Sequence, residues 1–159
     1  MKFRIGFGFD VHPLKENLDF WLGGIKIPHS KGASGHSDAD TLIHAICDAL
    51  LGAANLGDIG KHFPDQDEAY KGIDSKVLLK RTINLIWKEG YSIGNIDSTI
   101  CLQKPKIASY IPEMQKTLAN VIGVTENDIS IKATTTEKLG FVGREDGISA
   151  YAVVLIEKV

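Results

Sequence analysis

Along residues 3–11 every second position is apolar (Phe3, Ile5, Phe7, Phe9, Val11), which is the period of a β-strand. Residues 21–27 offer a second, short strand interrupted by Gly23 and Gly24. Residues 28–37, rich in Pro, Ser, Lys and Gly, read as a loop. Over about residues 40–56 the rhythm becomes helical (Leu42, Ile43, Ile46, Ala49, Leu50, Ala53), and Gly57 is the stop. A Gly-, Asp- and Pro-rich loop spans about 57–73. Asp74 and Ser75 supply caps for a helix that carries Leu78, Leu79, Ile83, Ile86 and Trp87 and ends at Gly90. Ile96, Ser98, Ile100 and Leu102 predict a strand. Residues 109–122 predict a helix with Ile111, Met114, Leu118 and Ile122 on one side, and 129–134 and 148–156 the last two strands. Strands and helices mix without strict alternation. The pattern predicts an α+β fold, with helices covering one face of a mainly antiparallel or mixed sheet.

A chain of 159 residues fits one domain, 1–159, and buries roughly two-thirds of its unfolded surface without needing disulfides. With 43% hydrophobic and 24% charged residues it is neither disordered nor fibrous. A formal charge of −2 gives no electrostatic case for nucleic-acid binding. No apolar run approaches the ~20 residues of a membrane helix. Cys47 falls in an apolar helical pattern and Cys101 in a strand-like run, as two buried, reduced thiols of a cytoplasmic protein would. Met1 leads straight into the first predicted strand, so no presequence is expected. Neither a GxGxxG after a strand nor a Walker loop is present.

The candidate chemistry is concentrated in few places. Asp10 and His12, two apart at a strand end, point to the same face. With His44 on the first helix they make an oxygen-plus-two-nitrogen set, the donor count of a catalytic zinc site with one open position. The same spacing also suits a strand-end Asp–His hydrogen bond and a satisfied core histidine. Asp48, four residues after His44, could receive its second ring N–H or be a solvated helix carboxylate. In the run His36-Ser37-Asp38-Ala39-Asp40, the serine and acids suit helix capping, whereas His36 does not. Thr134-Thr135-Thr136-Glu137-Lys138 follows a strand, where hydroxyls, N–H groups and a carboxylate can hold phosphate and a divalent cation. It equally suits a β-branched strand end and a charged turn. Lys104-Pro105-Lys106 and Arg144 lie in predicted loops.

Taken in order, Gly8-Phe9-Asp10-Val11-His12, His36-Ser37-Asp38-Ala39-Asp40, His44-Ala45, Leu56-Gly57-Asp58-Ile59-Gly60, Phe63-Pro64-Asp65, Pro105-Lys106 and residues 132–140 closely resemble the 2-C-methyl-D-erythritol 2,4-cyclodiphosphate synthase family over essentially the whole chain. The resemblance implies a cytoplasmic homotrimer of the non-mevalonate isoprenoid route, each subunit with a four-stranded sheet backed by helices around a central axis. The implied reaction converts 4-diphosphocytidyl-2-C-methylerythritol 2-phosphate into the cyclic diphosphate and CMP. Asp10, His12 and His44 would be zinc ligands, and Glu137 the ligand of a magnesium or manganese ion. His36 and Thr135 would stabilise the transition state. Asp10, His12, His36 and Ser37 would also face the substrate. Asp58, Ile59 and Gly60, and Phe63, Pro64, Asp65, Gln66 and Asp67, would hold the ribose and methylerythritol. Leu102, Gln103, Lys104, Pro105, Lys106, Ile107 and Ala108, with Ala133, Thr134, Thr135 and Thr136, would form the cytidine and phosphate pocket, lent by a neighbouring chain. Ile107 and Ala108 stand where the family often has larger apolar residues. Phe141 and Arg144 would line the trimer axis, where the family can hold isoprenoid diphosphates. Without that resemblance, the same donors would suit a zinc hydrolase acting on phosphate esters, or a non-enzymatic nucleotide- or metal-binding module.

Overall fold

The computed structural model describes residues 1–159. Its strands are β1 (Phe3–Glu16), β2 (Phe20–Leu22), β3 (Ile25–Ile27), β4 (Lys31–Ala33), β5 (Tyr91–Cys101), β6 (Ile129–Thr134) and β7 (Gly147–Lys158). Its α-helices are α1 (Thr41–Ala53), α2 (Ile59–His62), α3 (Ser75–Lys88), α4 (Ile111–Ile122) and α5 (Gly140–Gly143). The main sheet runs β4-β1-β7-β5-β6, with β5 and β6 parallel and every other pairing antiparallel. This is the mixed-sheet α+β fold that the patterning predicts.

The sheet has five strands, not the four expected. The fifth, β4, lies in the segment read as a loop. Lys31-Gly32-Ala33 shows no alternation of its own. It is a strand because β1 runs on to Glu16, well past Val11, and pairs Leu14 with Ala33 and Glu16 with Lys31. Residues 21–27 are likewise two strands rather than one. The β2–β3 hairpin turns at Gly23 and Gly24, whose φ values of 61° and 80° suit glycine. It forms a small sheet of its own. The 57–73 loop holds α2 and a single 3-10 turn, Glu68–Tyr70.

Strand β1 decides how the layers meet. Its apolar stripe, Phe3 to Val11, faces away from the helices and is exposed, Ile5 at 72% and Phe7 at 62%. Gly6, Gly8, Asp10 and His12 face the helices. A Cβ on Gly6 would fall 1.8 Å from the Ala49 carbonyl oxygen, and one on Gly8 1.9 Å from that of Ala45. The backbone of α1 therefore rests directly on the strand. Around this contact, Leu42, Ile43, Ile46, Ala49 and Leu50 of α1 join Ile148, Ala150, Ala152 and Val154 of β7 and Leu79 and Ile83 of α3 in one core.

Asp40 caps α1 from a position with no solvent exposure. Its Oδ1 accepts from the Ile43 and Gly23 N–H groups at 3.0 Å each, and its Oδ2 from Gly24 N–H at 2.7 Å. One carboxylate thus ties the β2–β3 hairpin to the start of the helix. Burial and the neighbouring Asp38 charge push its pKa up, against the pull of those N–H donors. Both cysteines are free; Cys47 is buried, as expected, whereas Cys101 is only half-buried. Burial pushes the Cys47 thiol up to about 12, so it is chemically quiet. No helix is long and apolar enough to cross a membrane.

The same substitution should have opposite effects at two glycines. Gly8→Ala forces a methyl into the α1 backbone and is expected to cost about 3 kcal/mol. Gly52→Ala, near the end of α1 with nothing within 4 Å, should stabilise by about 0.5–1 kcal/mol. Urea unfolding midpoints of the two variants check both signs.

Candidate active site

Asp10 and His12 leave the inner face of β1, and His44 meets them from the first turn of α1. Asp10 Oδ2 lies 2.8 Å from His12 Nε2 and 3.3 Å from His44 Nδ1, and the two nitrogens are 3.2 Å apart. Although buried, Asp10 Oδ2 accepts no well-directed hydrogen bond. The three donor atoms lie close enough together to share one ion. Ligands at ~2.0–2.1 Å from a tetrahedral ion stand about 3.3 Å apart, so the cage suits a small dication.

The outer ring nitrogens are held separately. His12 Nδ1–H donates to the Ser34 carbonyl at 3.1 Å. Gly35 admits that ring, since a Cβ there would lie 2.9 Å from His12 Cε1. His44 Nε2 stands 3.0 Å from Ser75 Oγ and 3.1 Å from Ser37 Oγ. Asp48 plays neither of its expected parts: its half-buried Oδ1 accepts from Ile59 N–H at 2.7 Å and anchors the start of α2. Burial pushes the Asp48 pKa up. Burial alone would raise Asp10 and lower His12. Their mutual attraction, with His44 adding to it at Asp10, reverses both directions, holding Asp10 below and His12 above the ordinary value. A metal ion bound here would have to displace the proton they share.

Around the cage lies a cleft lined by Asp10, His12, His36, Ser37, His44, Ile59, Gly60, Phe63 and Asp65, all expected from the sequence. Gly35, Tyr70 and Leu78 also line it and were not expected. Tyr70 packs edge-on against Phe63, with ring centroids 5.6 Å apart. Asp58 caps α2 by accepting from Lys61 N–H at 2.9 Å. His36 Nε2–H donates to the Asp67 carbonyl at 3.1 Å, and its own carbonyl accepts from Gly72 N–H at 2.7 Å. His36 thereby pins the 64–72 segment beside the cleft. Pro64 and Gln66 belong to that segment but do not line the cleft.

A second cleft is lined by Leu102, Gln103, Pro105, Lys106, Ile107, Ala108, Ala133, Thr134 and Thr135. It shares no residue with the first. Lys104 turns aside, 4.0 Å from Glu145 Oε2.

The model of the YgbB family matches residues 3–157. The 2-C-methyl-D-erythritol 2,4-cyclodiphosphate synthase of Bacteroides thetaiotaomicron is 66% identical over 158 residues, 99% of each chain. The chain belongs to the YgbB family. Among solved structures, the Plasmodium falciparum IspF in complex with CDP superposes with a TM-score of 0.87 at 36% identity, covering 99% of this chain and 97% of that one. The bifunctional IspDF of Campylobacter jejuni gives a TM-score of 0.95 at 40% identity; the match covers 99% of this chain and 42% of that longer protein.

In this member of the YgbB family the turn after β6 is strained. Glu137 and Lys138 both adopt left-handed conformations, with φ of 53° and 64°. Glu137 N–H donates to Thr135 Oγ1 at 3.3 Å, Lys138 N–H to Gln103 Oε1 at 3.2 Å, and Thr136 Oγ1 to the Leu139 carbonyl at 2.7 Å. Glu137 is left exposed, two residues past Thr135, which lines the second cleft. Phe141 is exposed on α5, and the Arg144 guanidinium pairs with Asp146 at 3.0 Å.

Asp48→Ala removes the charged acceptor of the Ile59 amide. Hydrogen exchange at that amide is expected to speed by about tenfold or more, with α1 amides unchanged. Amide-resolved exchange by NMR checks it.

Proposed function

We infer that this chain converts 4-diphosphocytidyl-2-C-methyl-D-erythritol 2-phosphate into 2-C-methyl-D-erythritol 2,4-cyclodiphosphate and CMP, a cyclising phosphorus–oxygen lyase step of non-mevalonate isoprenoid synthesis. The observation that carries the reading is the converging Asp10–His12–His44 cage, set in a chain 66% identical to a synthase of that name. The nucleophile is the substrate's own 2-phosphate. Its second pKa lies near ~6, so it is mostly dianionic at neutral pH and needs no protein base. One of its oxygens attacks the β-phosphorus as the bond from that phosphorus to the CMP oxygen breaks. The protein has to align two anions and cover their charge.

Zinc held by Asp10, His12 and His44, and magnesium or manganese held by Glu137, supply fixed positive charge to the phosphate oxygens. Thr135, with its hydroxyl and the neighbouring N–H groups, covers the charge that develops in the transition state, and His36 does so from the cage side. Ser37, Asp58, Ile59, Gly60 and residues 63–67 hold the sugar portions. Residues 102–108 and 133–136 hold the cytidine and its phosphates, with Lys106 as a cation beside them. The orphaned Asp10 oxygen and the outward-facing turn at Glu137 support these two metal positions.

The working unit is a homotrimer with each active site between two chains. Two observations support this. The clefts share no lining residue, so a partner can complete each one. The exposed face of the sheet carries Phe3, Ile5, Phe7, Phe9 and Val11 with Tyr151 and Val153, an apolar surface with Phe9 and Tyr151 ring centroids 5.1 Å apart. Packed around a three-fold axis, that face would be covered. Phe141 and Arg144 would then line the axis, with an arginine suited to an isoprenoid diphosphate.

Phosphorus NMR with the diphosphocytidyl substrate tests the reaction. The parent should yield the cyclic diphosphate and CMP, and chelation of metal should stop it. His44→Ala should lose its zinc by elemental analysis and most of its turnover while keeping its fold. Release of inorganic phosphate would point to a hydrolase, and absence of any product to a binding module.

The shared site has its own test. His44→Ala lacks the cage half, and a Thr134→Ala/Thr135→Ala chain lacks the nucleotide half. Unfolded together and refolded as random mixed trimers, a head-to-tail ring regenerates about one quarter of sites. Each variant alone should stay near zero. With mixed trimers verified by native mass spectrometry, no rescue of CMP release would refute the arrangement.

A further inference from the structure

We propose that Asp38 and Ser75 are positioning residues that fix the ring tautomer of His44, so that its Nδ1 lone pair is presented to the metal. The inference rests on the metal-binding reading of Asp10, His12 and His44. Ser75 is wholly buried in the first turn of α3. Its N–H donates to Asp38 Oδ2 at 3.0 Å, and its hydroxyl donates to Asp38 Oδ1. Asp38 Oδ1 also accepts from Asp40 N–H at 3.2 Å. A carboxylate has no proton to give, so the serine proton is committed to Asp38. Only lone pairs remain on Ser75 Oγ to face His44 Nε2, 3.0 Å away. The ring nitrogen must then carry the proton. A neutral imidazole protonated on Nε2 has its lone pair on Nδ1, the atom 3.3 Å from Asp10 Oδ2.

Ser37 cannot set this choice. Its Oγ lies 3.1 Å from the same nitrogen and accepts from Ala39 N–H at 3.2 Å. Its own proton is free to turn towards or away from the ring, so it satisfies either tautomer. The committed proton on Ser75 is what selects one. Neither Asp38 nor Ser75 lines the cleft, so both act through His44 rather than on substrate. Such outer partners commonly change metal affinity by 10–100-fold.

The test uses the full chain, stripped of metal and labelled with nitrogen-15 in its histidines. Long-range nitrogen–proton correlation spectra, at a pH where the ring is neutral, report the His44 tautomer. Competition with a chromophoric chelator reports zinc affinity. The parent is expected to hold His44 as the Nε2–H tautomer. Ser75→Ala keeps the backbone bond to Asp38 and should give a mixture of tautomers with zinc bound 10–100-fold more weakly. Asp38→Asn, which removes one of the two acceptor oxygens, should move both readings the same way. A parent in the Nδ1–H form would overturn the proposal. So would variants that keep the parent's tautomer, even with weakened zinc binding, because the loss would then be merely structural. If the parent takes up no zinc, the metal reading fails, while the His44 tautomer still decides the relay.

Discussion

Helix α1 meets β1 where the strand has no side chains, at Gly6 and Gly8, and the position of His44 follows from that approach. The helix carbonyls of Ala45 and Ala49 occupy the space that any Cβ would need. Two and four residues beyond Gly8, on the same face of the strand, come Asp10 and His12. The helix therefore delivers its histidine to them at hydrogen-bond range. The same pleat turns the strand's phenylalanines and isoleucine to the outer face, so the donor cage and the apolar surface are two sides of one alternation.

The segment 36–44 carries much of the remaining organisation. Asp40 gathers the hairpin and the helix end, Asp38 holds the first turn of α3, and His36 restrains the 64–72 segment. Between the two acids Ala39 is wholly buried with a φ of 57°. A left-handed alanine costs about 1–2 kcal/mol, and here the bonds on either side hold it. Three carboxylates of this region, Asp38, Asp40 and Asp48, are consumed by N–H and hydroxyl donors. Asp10 differs from them in having a buried oxygen that accepts no hydrogen bond.

The long elements and most of the site were legible because they repeat a period or fall in one contiguous run. The strand and helix rhythms marked β1, α1, α3, α4, β6 and β7, and the two-residue step from Asp10 to His12 already placed both on one face. The rest was invisible for local reasons. Lys31–Ala33 becomes a strand only because β1 extends beside it. The face that β1 turns to the helices is set by glycines, which no hydrophobic pattern records. Ser75 looked like an ordinary helix-start residue, and its contact with Asp38 spans 37 positions of sequence. Asp48 had the right spacing from His44, but the Ile59 amide reaches it first.

The cage of Asp10, His12 and His44 also bears on how long the molecule survives. The fold holds three potential ligand atoms within 3.3 Å of one another, drawn together by a shared proton whose place a cation could take. Any occupant that binds only the folded chain adds stability that grows with the logarithm of its free concentration. If the cage takes up a cation, opening of the α1–β1 contact would become rarer as the free concentration of that ion rises.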